Sequence, residues 1–152
     1  MIVVSNTTPI ISLASVGKIE LLKLFFKNIY IPKAVYDEIK SKKAYGYKEI
    51  DDDFFIVKKI QNIFSQSILL QDLDIGEAQT IVLAKELNAD IVLIDENLGY
   101  QISKNQNLNT KRTLSLLIAS KKLGYIDSVK PILDDIKLSM NTTTISDSFG
   151  DM

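Results

Sequence analysis

Four short apolar runs rich in β-branched residues punctuate the chain: Ile2 to Val4, the segment ending at Ile31, Phe54 to Val57 and Ile91 to Ile94. Runs of this length, bounded by polar residues, read as buried strands. Between them apolar residues recur every three or four positions, at Ile10, Leu13 and Ala14, at Ile19, Leu22 and Phe26, and at Val35 and Ile39. The spacing returns at Ala78, Ile81 and Val82 and again at Leu114, Leu117 and Ile118, which predicts helices with one face on a core. Thr8 before Pro9, Ile31 before Pro32 and Asp74 before Ile75 mark helix starts, whereas Gly17, Asn88 and Gly124 mark stops. Strands alternating with helices predict an α/β fold whose mostly parallel sheet is covered on both faces.

The 152 residues suit one domain at about 150 residues per domain. With 46% hydrophobic residues the chain has the material to bury about 68–70% of its unfolded surface. The expected domain spans residues 1–138. Residues 139–152 form a polar stretch in which Thr, Ser and Asp replace the apolar periodicity from Asn141 onward, so a frayed end is expected there. Asp51-Asp52-Asp53 reads as a solvated turn before a strand.

Charge and composition then narrow the chemistry. Eighteen basic and nineteen acidic residues leave a net charge of −1, so any contact with nucleic acid is local. No Cys, His or Trp occurs. That removes disulfides, thiolate and imidazole catalysis, and the zinc sets built on His or Cys. Carboxylates remain, and they suit hard cations such as Mg²⁺ or Mn²⁺. No run approaches the ~18 apolar residues of a membrane span, and no basic leader opens the sequence, so a cytoplasmic protein is expected.

Ligands of open parallel sheets bind beyond the carboxyl ends of the strands. Asn6 follows the first run there, Glu38 lies one turn into the helix after the second, Glu77 opens the helix before the fourth, and Asp95 with Glu96 follows the fourth. Each also has an ordinary reading. Asn6 and Asp95 suit helix caps, Asp74 to Glu77 resembles a capping box, and Glu38 can pair with Lys42. If the segments converge, however, Glu38, Glu77 and Asp95 become neighbours, and two unit charges 4 Å apart repel by ~4 kcal/mol at an effective dielectric of 20. The acids are then held apart, protonated, or neutralised by a divalent cation.

The segments VVSNTTPIISLASVGKIELL, IPKAVYDEI, GEAQTIVLAKELNADIVLIDE and RTLSLLIASKKLGYIDSVKPIL resemble, in order and spacing, the PIN-domain nucleases. They are nearest the small prokaryotic PIN-like proteins related to VapC-type toxins, and the likeness spans Met1 to Leu138. The resemblance implies a three-layer α/β/α sandwich, a Mg²⁺- or Mn²⁺-dependent ribonuclease site made by acids, a homodimer and, for toxin members, a cognate antitoxin. Carried onto this chain, the metal positions are Asn6, Glu38, Glu77 and Asp95, with Glu96 beside them, and Glu38, Glu77 and Asp95 carry the catalysis. Where these nucleases usually carry Asp, this chain has Asn6, an oxygen ligand without charge. A PIN-like module that binds RNA or protein without cutting is therefore the alternative.

Lys111, Arg112 and Thr113 precede or open the helix of the last segment and are the expected phosphate contacts to RNA. Thr113 and Ser115 are equally ordinary helix-start residues, and Lys40, Lys42 and Lys43 form a second, weaker basic cluster. Apolar helix surface around Ile19, Leu22 and Phe25 is where a homodimer is expected to close. A receiver or nucleotide-binding domain is the rival fold reading. Ser5-Asn6 stands where a receiver needs an acidic pair, and no Gly-rich phosphate loop occurs.

Overall fold

A computed structural model describes residues 1–140. The segment expected to fray from Asn141 lies outside the described residues.

The central sheet has five parallel strands: β1 (Val3–Ser5), β2 (Ile29–Pro32), β3 (Phe55–Lys58), β4 (Ile91–Leu93) and β5 (Thr110–Lys111), in the order β3-β2-β1-β4-β5. β1 pairs in register with β4 through Val3 opposite Ile91 and Ser5 opposite Leu93, and with β2 through Val4 opposite Tyr30. Alternation along the strands divides the core. Val3 and Leu93 join the cluster that includes Ile10, Leu22, Val35, Leu117 and Ile136, whereas Val4, Val92 and Ile94 join Leu73, Ile81 and Leu83. Two cores on opposite sheet faces make the three-layer α/β/α arrangement.

The helices are α1 (Thr7–Ser15), α2 (Glu20–Phe25), α3 (Lys33–Lys42), α4 (Ile63–Leu69), α5 (Ile75–Glu86), α6 (Asn97–Asn105), α7 (Thr113–Lys122) and α8 (Lys130–Met140). α5 is buried on nearly every side, against α3, α4, α6 and the central strands. Its capping box forms as expected. The Glu77 amide donates to Asp74 Oδ1 at 2.8 Å, and the Asp74 amide donates to Glu77 Oε1 at 3.3 Å. α8 runs past the expected boundary at residue 138, because Ile132 and Ile136 anchor its inner face in the core and the helix continues to Met140.

Two-residue β5, the short helix α4, and α6 carry too few periodic apolar positions to show in the sequence. The apolar surface expected to need a partner is covered by the chain itself. Leu22 is fully buried, Ile19 nearly so, and the Phe25 ring meets Tyr125 edge-on with centroids 5.9 Å apart. No helix among the described residues is long and apolar enough to cross a membrane.

Candidate functional site

The strand order reverses between β1 and β4, and the crevice beyond their carboxyl ends is the natural ligand position of such a sheet. β1 delivers Asn6 there and β4 delivers Asp95 and Glu96. α5, running back along the sheet, brings its first turn and Glu77 to the same end.

Asn6 occupies the cap position of α1 but makes no side-chain cap bond. Its backbone amide extends the sheet to Leu93 at 2.9 Å, and its Nδ2 donates to Glu96 Oε2 at 3.4 Å. The other Glu96 oxygen accepts from the Thr8 hydroxyl at 2.5 Å. Asn6 Oδ1 points toward α5, 3.4 Å from where a Cβ on Gly76 would stand. Glu77, only 8% exposed, shares this space with Glu96. Burial first, then repulsion from Asp74 and Glu96, pushes its carboxyl up to about 8.

Asp95 has a different occupation. It is fully buried, its Oδ1 accepts from the Thr113 amide and its Oδ2 from the Thr113 hydroxyl, both at 2.7 Å. Desolvation raises its carboxyl to about 6, against the lowering effect of the two Thr113 bonds. Asp95 thus caps α7 from a distance instead of its own helix. Arg112 closes the same corner, with Nη1 donating to the Asp95 carbonyl at 2.5 Å and its guanidinium 4.1 Å from the Tyr100 ring centroid. Both donors of Thr113 are therefore taken by Asp95, and Arg112 is partly committed, while Lys111 is exposed.

Glu38 stands apart. It lines a groove of about 450 Å³ between the first turns of α3 and α5, with Lys33, Asp37, Asp74, Gly76 and Gln79, and lies 3.9 Å from Lys42. Gly76 links the two places, since it lines the groove and also abuts Asn6. The expected convergence of Glu38, Glu77 and Asp95 is not what the geometry gives. Among the described residues no three acidic side chains gather closely enough to hold a metal ion. The reason lies in the partners each acid finds: Thr113 turns Asp95 inward, and Glu38 lies beside Lys42 along α3 and lines the groove.

What the structure brings near one another is Glu96, bonded by Asn6 and Thr8, and Glu77, close enough to feel the Glu96 charge. Two carboxylates and an amide are hard oxygen donors, and Mg²⁺ is commonly held by one or two carboxylates together with water and phosphate. The residues present fit such a cation. Thr8 and Thr113, marked in the sequence as a helix start and as a phosphate contact, act here by holding Glu96 and Asp95, roles that hydroxyls at helix starts do not announce.

A family profile described as PIN domain matches residues 2–147. The chain belongs to the PIN-domain family, a nuclease-type fold whose members typically use divalent metals. Among solved structures it is similar to a PilT N-terminus domain protein from the hyperthermophilic archaeon Sulfolobus solfataricus P2. That match has 19% sequence identity and a TM-score of 0.57, and covers 79% of this chain and 93% of the other. At that identity the likeness speaks for the fold. The search of curated proteins returns no match.

Proposed function

We propose that the chain is a Mg²⁺- or Mn²⁺-dependent endoribonuclease of the toxin–antitoxin kind, acting in the cytoplasm on RNA phosphodiesters. The observation that supports this reading is the Glu77–Glu96 pair: two acids near enough to repel at the sheet's switch point, neither of them in an ion pair among the described residues. Glu77, Glu96 and Asn6 Oδ1 would hold the metal, with Asp95 and Glu38 at its margins. A divalent cation there supplies an acidified water and charge stabilisation at the phosphoryl group.

The chain's residues do the rest. Thr8 and Asn6 fix the orientation of Glu96. Glu77, buried and repelled by Asp74 and Glu96, is the acid whose carboxylate a bound cation would relieve, so metal binding would release its proton. Lys111, with Arg112 behind it, offers the RNA backbone its cationic contact, and Thr113 serves by holding Asp95.

The Asn6→Asp variant tests the reading, because it adds an anion to a site assigned to a cation. Mn²⁺ affinity measured by calorimetry should rise up to about tenfold, and cleavage of a fluorescent single-stranded RNA at limiting Mn²⁺ should rise with it. Equal affinity in both proteins, with no metal-dependent cleavage in either, would leave the second reading standing, a PIN-like module that binds RNA or protein without cutting. Asn6 itself favours that alternative.

For the homodimer of the proposed reading we assign the outer face of α4. From Ile60 to Gln71 no residue is charged, and Ile63, Phe64 and Ile68 are 60%, 73% and 49% exposed. Such a face can meet its own copy without like-charge repulsion, and it is an apolar patch of the kind that marks interfaces. Light scattering should find a dimer that Phe64→Asp converts to monomer. A wild-type monomer at high concentration would remove the dimer from the reading, and a cognate antitoxin would then be the partner to seek.

A further inference from the structure

Five glycines lie among the described residues, and they differ in why a side chain is absent. Gly17, Gly46 and Gly124 have φ angles of +67°, +85° and +82°, which other residues adopt only with strain. Gly76 and Gly99 sit within regular helices, α5 and α6, where glycine is a poor helix former and backbone conformation gives no reason for it. Space gives the reason. A Cβ on Gly99 would stand 2.6 Å from Glu77 Oε2, 3.2 Å from Ile94 Cγ2 and 3.4 Å from Glu77 Cδ. A Cβ on Gly76 would stand 3.4 Å from Asn6 Oδ1. Each helical glycine therefore abuts an oxygen of the candidate donor set.

We propose that Gly99 is a positioning residue for this site: its missing side chain lets the Glu77 carboxylate seat against α6, close to Glu96. The inference rests on the metal reading for its functional consequence and on geometry alone for the seat. Cβ atoms essentially never approach a neighbour closer than 3.0 Å, so alanine at position 99 forces one side to move. The freer side is the end of the Glu77 side chain, because Ile94 is fixed in the core. That end is also tied at Oε1 to the Asp74 amide, 3.3 Å away. The added methyl should therefore swing the carboxylate off its seat while leaving the sheet intact.

The test is a size swap. Gly99→Ala should fold cooperatively and lose at least tenfold in Mn²⁺ affinity by calorimetry. Glu77→Asp, which retracts the carboxylate by one methylene, should weaken binding by itself but rescue the alanine background. The double variant should thus bind Mn²⁺ more tightly than Gly99→Ala alone. Denaturant unfolding of the metal-free proteins reports the same contact independently, through a double variant more stable than the two single changes predict. Wild-type affinity in Gly99→Ala, or strictly additive effects in both assays, would overturn the proposal. Coupling in the metal-free proteins together with no Mn²⁺ binding by the wild type would defeat the metal reading while upholding the seat. Coupling of Gly99→Ala to Ile94→Ala but not to Glu77→Asp would assign the glycine to strand–helix packing and overturn it as well.

Discussion

Asp51 and Glu77 are both carboxylates held by neighbouring groups, yet the chain treats them in opposite ways. Asp51 ends the 3₁₀ turn Glu49–Asp51, accepting from Lys40 Nζ and from the Tyr36 hydroxyl, both at 2.7 Å. Lys40 also donates to the Tyr47 carbonyl at 3.0 Å and lies 3.6 Å from that ring's centroid. Lys40 first and Tyr36 second hold the Asp51 carboxyl below its ordinary value. Glu77 has no such complement. None of the ion pairs among the described residues involves Glu77 or Glu96, and burial and repulsion push Glu77 up to about 8. Where the chain supplies its own cation, an acid fastens a turn to a helix. Where it buries Glu77 beside the half-buried Glu96 and supplies no cation, the charge is relieved by holding a proton on Glu77, and the proposed metal would take that proton's place.

The largest way to break this contrast is Glu77→Gln. It should abolish measurable Mn²⁺ binding and lower RNA cleavage by more than the roughly 10–100-fold that changes beyond the ligand sphere cost. The same substitution should stabilise the metal-free protein at alkaline pH. A folded-state carboxyl raised to about 8 favours folding fully below its unfolded value near 4.5, and that stability is lost as pH rises through about 8. The melting temperature of the metal-free wild type should therefore fall across that window. Glu77→Gln should flatten the fall, and saturating Mn²⁺ should reverse it. Melting curves at pH 5 and pH 8.5, with and without Mn²⁺, decide the matter, and a parallel fall in wild type and variant would count against it.

Thr113→Val sharpens the comparison from within the site. It removes the hydroxyl bond to a fully buried carboxylate and should cost about 1–3 kcal/mol in denaturant unfolding, with Mn²⁺ affinity nearly unchanged. A large loss of affinity would instead make Asp95 a direct ligand. The smallest effect belongs to the other region. Asp51→Asn should move the denaturant midpoint least of all, because Asp51 itself is exposed to solvent, and should leave Mn²⁺ binding untouched.

Much of this molecule could be read before folding. The β-branched runs and three-four spacings specified strands β1 to β4 and the helices between them, because burial of alternate or periodic positions is written directly in residue order. The end of the sheet where the acids fall followed from the same alternation, and so did the capping box from Asp74 to Glu77, since its bonds span only three residues. Which acids meet was a tertiary matter. Asp95 and Thr113 are 18 positions apart, Asn6 and Glu96 are 90 apart, and no periodicity reports a bond between side chains so distant. Asp51 within its acidic run read as solvated, and only the packing of the 3₁₀ turn on α3 supplied Lys40 and Tyr36. The sequence by itself determined the family, the layers and the stock of oxygen ligands. Tertiary structure decided that Thr113 withdraws Asp95, that Glu38 faces a groove, and that Glu96 and Glu77 share the crevice. Residue order dictates local burial, whereas directed hydrogen bonds between distant segments settle which charges remain unbalanced.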